Sequence, residues 1–252
     1  MPLDRPCPKP ADRHRATLLV FTLDAAGERA RRQLLPDRLG SWELALYRDC
    51  LDAALAAGRA NGCALRVCAP SRLALTGDVE QFAQRGHGFG ERLRRAISRH
   101  GPAPGRPLVV VGSDAPGLAP RHVADALGRL VEHPDRLVVG PSPDGGFYLL
   151  AAARPLDELL AEVGWLRSDT LASLLAAARA RGIEVSLLAP LADLDHAADL
   201  EGWLARGAAL ASPWLRGLMV LLRRLRRPPL PPTLGRPALG RVAIVPARGP
   251  PR

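Results

Sequence analysis

Short apolar runs that alternate with longer helical stretches constrain the fold of this chain more than any other feature of its sequence. The clearest run, LVVVGSD (108–114), places four apolar residues directly before a glycine, a serine and an aspartate. Strands separated by helices of about 10–15 residues are typical of βαβ units. The pattern therefore predicts an α/β fold in which a mostly parallel sheet carries helices on both faces.

The remaining elements follow from apolar composition and helical spacing. The sequence predicts further strands at 17–23, 64–70, 136–140, 147–152 and 183–188, and helices at 41–57, 91–100, 120–131, 168–181 and 197–206. The glycine-rich stretch at 85–90 shows no clear strand before it. Ligands collect at the carboxyl ends of parallel strands, so polar residues that follow a strand are the first candidates for a site.

Charge and proline content divide the chain into three parts. We expect a flexible lead at 1–16, one α/β domain at 17–212, and a basic tail at 213–252 that is rich in proline and arginine and begins with a short amphipathic helix. The tail holds nine arginines and no acidic residue, so it accounts for nearly all of the net charge of +10. The domain is close to neutral, and we predict no specific nucleic-acid partner for it.

The basic tail leaves three alternatives open. Its apolar helix face and arginines could make a weak contact with an anionic membrane surface, or hold RNA loosely. We favour the third alternative, in which the apolar face packs on the domain and the arginines remain in water.

We expect a cytoplasmic protein. The first residues are charged and rich in proline where a secretory signal has an apolar stretch, and no apolar run reaches the roughly 18–20 residues of a membrane-spanning helix. The four cysteines form no Cys-x-x-Cys pair and have no histidine at the spacing of a metal site. These features fit a reducing compartment.

Two aspartates follow predicted strands. Asp114 ends the strongest strand, where a carboxylate can bind Mg²⁺ together with the phosphates of a substrate. It could instead cap the helix that starts near Pro120. Asp144 stands before Gly145 and Gly146 between two strand-like runs, where a hairpin turn is the favoured interpretation and a ligand contact the alternative.

Two other stretches carry weaker signals. Glycines ahead of a helix N-terminus suit an anion, which makes candidates of Gly86, Gly90, Glu91 and Arg92, although the spacing differs from a dinucleotide fingerprint. The stretch LADLDHAADL (191–200) places several acids around a strand end, where capping is their ordinary role. Within it, Asp195 becomes interesting if the fold brings it to Asp114, because two carboxylates could then share a metal ion.

Five motifs that fall in register resemble a known family. They are QRGHGFGERL, VVVGSDAPGL, VVGPSPDGGFYLL, WLRSDT and LADLDHAADL, all within residues 17–205. The sequence resembles an uncharacterised bacterial family described as glycosyltransferase-A-like, which is related to sugar-nucleotide and molybdopterin-type nucleotidyltransferases. The resemblance implies a three-layer Rossmann-like architecture, with a nucleotide-diphospho-sugar transferase-like fold. It also implies a transferase that holds a nucleotide or nucleotide sugar through a divalent metal, Mg²⁺ or Mn²⁺, and passes a group to a small-molecule acceptor.

The resemblance also implies roles for particular residues. Asp114 and Asp195 would be the metal ligands, and Asp114 and Asp144 the catalytic carboxylates. The residues expected to bind substrate are Gly27, Arg31, Arg32, Gly86, Gly90, Glu91, Arg92, Ser113, Pro116, Gly145, Gly146, Trp165, Ser168 and Thr170. The single carboxylate of the Ser-Asp-Ala-Pro motif favours nucleotidyl transfer, whereas the customary description of the family favours glycosyl transfer.

The N-terminal phosphate-binding loop departs from the family pattern K-x-P-x-x-G-x-x-K-T-R-L. The corresponding stretch here, FTLDAAGERARRQLLP (21–36), keeps Gly27 and Arg32 but lacks both lysines, with Ala30 at the second lysine position. Arginine and lysine are not interchangeable at a phosphate. The alternative function is therefore a binding or regulatory module that has the same fold and has lost catalysis.

Overall fold

The computed structural model describes residues 16–32, 34–35, 37–102, 105–194, 199–200, 202, 217 and 220. Within them the strands are β1 (Thr17–Phe21), β2 (Ala64–Ala69), β3 (Glu80–Ala83), β4 (Leu108–Val111), β5 (Leu137–Pro141), β6 (Phe147–Ala152) and β7 (Val185–Leu187). The α-helices are α1 (Ala25–Arg32), α2 (Gly40–Ala60), α3 (Gly88–His100), α4 (Pro120–Glu132), α5 (Asp157–Ala161) and α6 (Thr170–Ala180). A 3₁₀ turn at Asp37–Leu39 leads into α2.

The strands form one mixed sheet in the order β3-β2-β1-β4-β6-β5-β7. Strand β6 is antiparallel to both of its neighbours, and the other pairs are parallel. The predicted mostly parallel sheet is confirmed. Since all strands except β6 point the same way, their carboxyl ends meet the start of β6 at one edge of the sheet.

Alternate side chains of the central strands supply two separate cores. On one face Val109 and Val111 of β4 pack with α2 and α4. On the other face Leu108 and Val110 pack with α3, α5 and α6. Helices cover both faces of β4, which explains why its apolar run is unbroken rather than alternating. The three-layer Rossmann-like architecture is therefore confirmed.

Two elements with little apolar content, β3 and α1, were not predicted from the sequence, and the bounds of β7 were predicted wrongly. Strand β3 lies directly before the glycine-rich stretch, so the expectation that no strand precedes it was wrong. It is an edge strand bonded only to β2, and its residues are half-buried or exposed. Helix α1 was missed because it is strongly polar and buries a glutamate rather than an apolar stripe. Strand β7 is shorter than predicted.

Two tail residues, Gly217 and Val220, are helical. A Cβ on Gly217 would lie 3.5 Å from Cη2 of Trp42, so this helix contacts the α/β domain at α2. All other tail residues, the lead at 1–15 and most of the predicted helix at 197–206 lie outside the described residues, and the division of the chain at 16 and 212 stays a prediction. In the ranges given above, no helix is long and apolar enough to cross a membrane.

The first testable prediction concerns His100 at the end of α3. Its side chain is buried against Phe82, with ring centroids 3.9 Å apart. Burial, helped by the nearby Arg66 and Arg99, lowers the pKa of His100 from 6.5 to about 4. Between these values the unfolded chain binds a proton that the folded chain does not, so the free energy of unfolding should rise with pH across this interval, by up to about 3 kcal/mol.

The replacement His100→Gln removes the titrating group and should flatten this part of the stability profile. Urea unfolding of both proteins at several pH values between 4 and 7 measures the difference. Parallel profiles for the two proteins would contradict the assignment.

Candidate functional site

Hydrogen bonds tie together the loops that follow β1, β3 and β4 at the carboxyl edge of the sheet. The hydroxyls of Thr22 and Ser113 lie 2.5 Å apart, and Ser113 is only 2% exposed. The side-chain amide of Gln84, just after β3, donates to the carbonyl oxygens of Thr22 and Cys68 at 2.8 and 3.3 Å. The predicted substrate residue Ser113 therefore acts here as a fixed link between two loops.

Asp114 lies beside this link, with its side chain 24% exposed. Its Oδ2 atom lies 3.8 Å from Nη2 of Arg31 on α1. The N-cap of α4 is Ala119, whose N–H donates to Nδ1 of His122 at 3.0 Å, so the capping interpretation of Asp114 was wrong. The carboxylate is thus placed where a ligand at the sheet edge can reach it. Pro116 is half-buried in the same loop.

The segment 191–194 crosses this edge from β5 to β4. The N–H of Leu191 donates to the carbonyl of Pro141 at 3.1 Å, and the N–H of Leu194 donates to the carbonyl of Asp114 at 2.9 Å. Asp195 follows immediately in sequence but lies outside the described residues. The sharing of a metal ion by Asp114 and Asp195 therefore stays a prediction.

The side chains that are described give a limited donor set for such an ion. Among them, no group of three or more His, Cys, Asp or Glu residues is arranged to hold a metal. Mg²⁺ is usually held by one or two carboxylates and completes its shell with water and phosphate oxygens. The oxygen donors of Asp114 suit this chemistry.

Two carboxylates of the chain itself fill the turn between β1 and α1. Asp24 accepts the N–H of Gly27 at 2.9 Å and the hydroxyl of Ser71 at 2.8 Å, and these bonds lower the pKa of Asp24. Glu28, only 6% exposed, accepts the N–H of Leu23 at 3.1 Å. The backbone N–H groups of Leu23 and Gly27, at the start of α1, are thus bonded to carboxylates of the chain itself.

The expected phosphate residues of this region lie on α1 itself. Gly27 is inside the helix rather than in a loop. Arg31 bridges two carboxylates, because its Nε lies 3.8 Å from Oε2 of Glu28 and its Nη2 equally far from Asp114. Arg32 is the last residue of the helix, and its side chain is not among those that the structure describes.

The glycine-rich turn before α3 is also capped internally. Glu91 accepts the N–H of His87 at 2.7 Å and pairs with Arg95 at 2.5 Å. The bond from His87, followed by the charge of Arg95, lowers the pKa of Glu91. Glu91 therefore provides the acceptor for a backbone N–H at the start of its own helix. Gly86, next to Glu91 in the structure, has a φ of +123°. Arg92 is half-buried on α3.

Trp165 holds the WLRSDT loop (165–170) against α3 and the sheet. Its ring centroid lies 5.6 Å from that of Phe89 and 6.1 Å from that of Phe147. A Cβ on Gly90 would lie 2.1 Å from Cδ1 of Trp165, so only glycine leaves room for the indole. Trp165 and Gly90 thus have a packing role at this edge.

The DGG stretch forms the turn between antiparallel strands β5 and β6, which confirms the hairpin interpretation. The N–H of Gly146 donates to Oδ1 of Asp144 at 3.0 Å. Gly145 has a φ of +92°, and its carbonyl accepts the N–H of Leu171 at 2.8 Å. The carbonyl of Ser168 packs directly on Gly145, which joins the hairpin to the loop before α6.

Thr170 supports the same loop. It is buried, its hydroxyl donates to the carbonyl of Arg167 at 2.7 Å, and the N–H of Arg167 lies 3.1 Å from that hydroxyl oxygen. These contacts give Thr170 a structural role at the first turn of α6.

Beside the hairpin lies an open groove of about 550 Å³ with an acidic lining. Its lining residues are Pro143, Asp144, Pro190, Ala192, Asp193, Asp199 and Gly202. Strand β6 separates β4 from β5, so Asp144 and Asp114 follow strands about 10 Å apart. The two aspartates proposed as catalytic therefore border different parts of the edge.

Sequence reasoning missed the side chains that shape the β1–α1 turn: Thr22, Asp24, Glu28, Ser71 and Gln84. One signal was available. An aspartate before a run of helix formers, as in Asp-Ala-Ala-Gly-Glu, is a typical N-cap. The contacts of Ser71 and Gln84 are distant in sequence and carry no local signal.

Comparison with known proteins identifies related sequences and folds. The model of a family described as an uncharacterized protein conserved in bacteria (DUF2064) matches residues 41–167. This range includes Asp114, Asp144 and Trp165 and excludes the β1–α1 turn. None of the curated proteins matches the chain.

Two solved structures have a similar fold. A candidate nucleotide-diphospho-sugar transferase from Desulfovibrio desulfuricans G20 is 21% identical, with a TM-score of 0.70 over 84% of this chain and 98% of that chain. A homologue of Mycobacterium tuberculosis Rv0371c, from Mycobacterium sp. strain JC1, is 21% identical, with a TM-score of 0.50 over 78% of this chain and 98% of that chain. The glycosyltransferase-A-like fold is therefore confirmed.

A steric prediction follows for the hairpin. A Cβ on Gly145 would lie 1.8 Å from the carbonyl oxygen of Ser168, in a backbone conformation with positive φ. Gly145→Ala should therefore lower the free energy of unfolding by about 2 kcal/mol or more. The matched control is Gly146→Ala, whose Cβ would meet only the Asp144 side chain at 3.3 Å and should cost less than about 1 kcal/mol. Urea denaturation measures both, and equal losses would contradict this geometry.

Proposed function

This chain belongs to the bacterial family DUF2064, and we propose that it is a transferase that acts on a nucleotide-activated substrate with the help of a divalent cation. The transferred group is a glycosyl or a nucleotidyl group, and the acceptor is a small molecule. The substrate would bind at the carboxyl edge of the sheet, between the β4–α4 loop and the β5–β6 hairpin.

The observation that carries this proposal is the bond between Leu194 and Asp114. The N–H of Leu194 lies 2.9 Å from the carbonyl oxygen of Asp114, so the chain reaches this loop one residue before Asp195. Leu194 directly precedes Asp195 in sequence. We propose that Asp114 and Asp195, 81 positions apart in sequence, hold one ion.

The relatives give general support to this class of reaction. The D. desulfuricans protein, which has the same fold over most of both chains, bears the name of a nucleotide-diphospho-sugar transferase. In α/β sheets of this kind, ligands bind outside the carboxyl ends of the strands. The candidate residues of this chain stand at that edge.

Asp114 and Asp195 would hold the cation, Mg²⁺ or Mn²⁺, through carboxylate oxygens. When bound, such a cation neutralises the negative charge that develops on a departing phosphate group. Arg31, whose guanidinium lies 3.8 Å from Asp114, would add a second positive charge next to the same phosphates. Asp144 would face the acceptor, because it lines the open groove of about 550 Å³.

A second candidate function has its own support. The backbone donors of Leu23 and Gly27, in the turn where a phosphate would be expected, are bonded to Glu28 and Asp24. A protein that had lost catalysis could keep the fold and use this edge only for binding or regulation. The alternative is therefore a catalytically inactive module, which would bind a ligand without turnover.

We predict that Mg²⁺-dependent binding of nucleotides depends on Asp114. Replacing it with asparagine removes the charge that attracts the cation and should weaken binding about 100-fold, or by about 2.7 kcal/mol. Isothermal titration calorimetry against nucleoside diphosphates and nucleotide sugars, with and without Mg²⁺, measures this loss.

The matched control is Asp135→Asn, because Asp135 is exposed at the opposite edge of the sheet, before β5. It should leave binding unchanged. Equal binding by the Asp114→Asn protein, or no binding of any nucleotide by the native chain, would overturn the proposed function. Binding without release of product from any nucleotide sugar or triphosphate would favour the inactive module.

A further inference from the structure

We infer that Glu28 and Asp24 act as specificity determinants that exclude a triphosphate, so that the activated substrate is a nucleoside diphosphate sugar rather than a nucleoside triphosphate. The inference rests on the proposed function and chooses between its two reactions. It comes from the β1–α1 turn, which lies next to Asp114 because the hydroxyls of Thr22 and Ser113 are 2.5 Å apart.

Two backbone donors of this turn are already bonded to carboxylates of the chain. The start of a helix after the first strand of a parallel sheet is well suited to a phosphate, because N–H groups and the helix dipole point at it. Here the N–H of Leu23 is 3.1 Å from Glu28 and the N–H of Gly27 is 2.9 Å from Asp24. A phosphate that accepted these two N–H groups would have to displace both carboxylates.

Further hydrogen bonds hold both carboxylates in the turn. Glu28 is 6% exposed and also accepts the hydroxyl of Thr22 at 3.4 Å. Asp24 is held on its other oxygen by Ser71 at 2.8 Å. Neither group can leave the turn without breaking internal hydrogen bonds, and while they stay their charge repels a further phosphate.

Two further backbone donors at this edge are also bonded to carboxylates of the chain. The N–H of His87 before α3 is bonded to Glu91, and the N–H of Gly146 in the hairpin is bonded to Asp144. These two carboxylates repeat the pattern of the β1–α1 turn. The positive charge of Arg31 beside Asp114 is shared with Glu28. Such a site favours a donor of low negative charge whose two phosphates share one cation.

The corresponding reaction is glycosyl transfer. The hydroxyl oxygen of the acceptor forms a bond to the anomeric carbon of the sugar, and the bond between that carbon and the β-phosphate oxygen breaks. The electron pair of the broken bond leaves with the nucleoside diphosphate, and the hydroxyl proton passes to water in the groove beside Asp144.

The test compares ligands of the same base on the full chain. Isothermal titration calorimetry with Mg²⁺ would measure UTP against UDP-glucose, GTP against GDP-mannose, and ATP against ADP-glucose. We expect the base that binds best to bind at least about tenfold more tightly as its diphosphate sugar than as its triphosphate. A triphosphate that binds equally or more tightly would overturn this inference and leave the proposed function intact.

The variant Glu28→Gln tests the cause. Glutamine can still accept the N–H of Leu23 but carries no charge, so triphosphate affinity should rise about tenfold while the affinity for the diphosphate sugar changes little. The control is Glu43→Gln on α2, a second buried glutamate that instead accepts the N–H of Leu34 at 3.0 Å. It should change neither affinity.

An unchanged preference in a folded Glu28→Gln protein, or the same change in both variants, would overturn the role of Glu28. If the variant does not fold, the comparison of ligands on the native chain still decides the substrate class. Absence of binding by every nucleotide and nucleotide sugar would instead overturn the proposed function, and this inference with it.

Discussion

The hydrogen bond from the N–H of Leu23 to the buried carboxylate of Glu28 determines the shape of the first turn after β1. Because this acceptor belongs to the chain itself, the N–H of Leu23 needs no external anion just before α1 begins at Ala25. The same carboxylate orients Arg31 toward Asp114. We therefore propose that the phosphates of a substrate are held from the β4 side rather than by the N–H groups of Leu23 and Gly27.

The rest of the edge is assembled by contacts between segments far apart in sequence. The Trp165 indole fits the space left by Gly90, and the Ser168 carbonyl packs on Gly145. These contacts fix the hairpin that carries Asp144 against the loop before α6. The proposed donor side at Asp114 and the proposed acceptor side at Asp144 thereby lie on either side of the start of β6.

The sequence predicted the elements whose position depends on the burial of apolar side chains. It did not predict the elements and turns whose structure depends on contacts between polar groups. The run at Leu108–Val111 identified β4 because helices cover both of its faces, and Asp114 followed from the end of that run. Strand β3 and helix α1 were not predicted, since an exposed edge strand and a polar helix lack an apolar pattern. The Leu23–Glu28 bond joins residues five positions apart, but the comparison with a family loop drew attention to missing lysines rather than to the acids of the same stretch. The place of Asp195 stays a prediction.

The central claim is that phosphates bind through a cation at Asp114 and not at the β1–α1 turn. Diffraction from crystals soaked with Mn²⁺ and a nucleoside diphosphate, recorded at a wavelength where manganese scatters anomalously, tests it most directly. The account predicts one manganese peak about 2.1 Å from a carboxylate oxygen of Asp114, with both phosphates on that ion. A phosphate bound to the N–H groups of Leu23 and Gly27, or no manganese at Asp114, would contradict it.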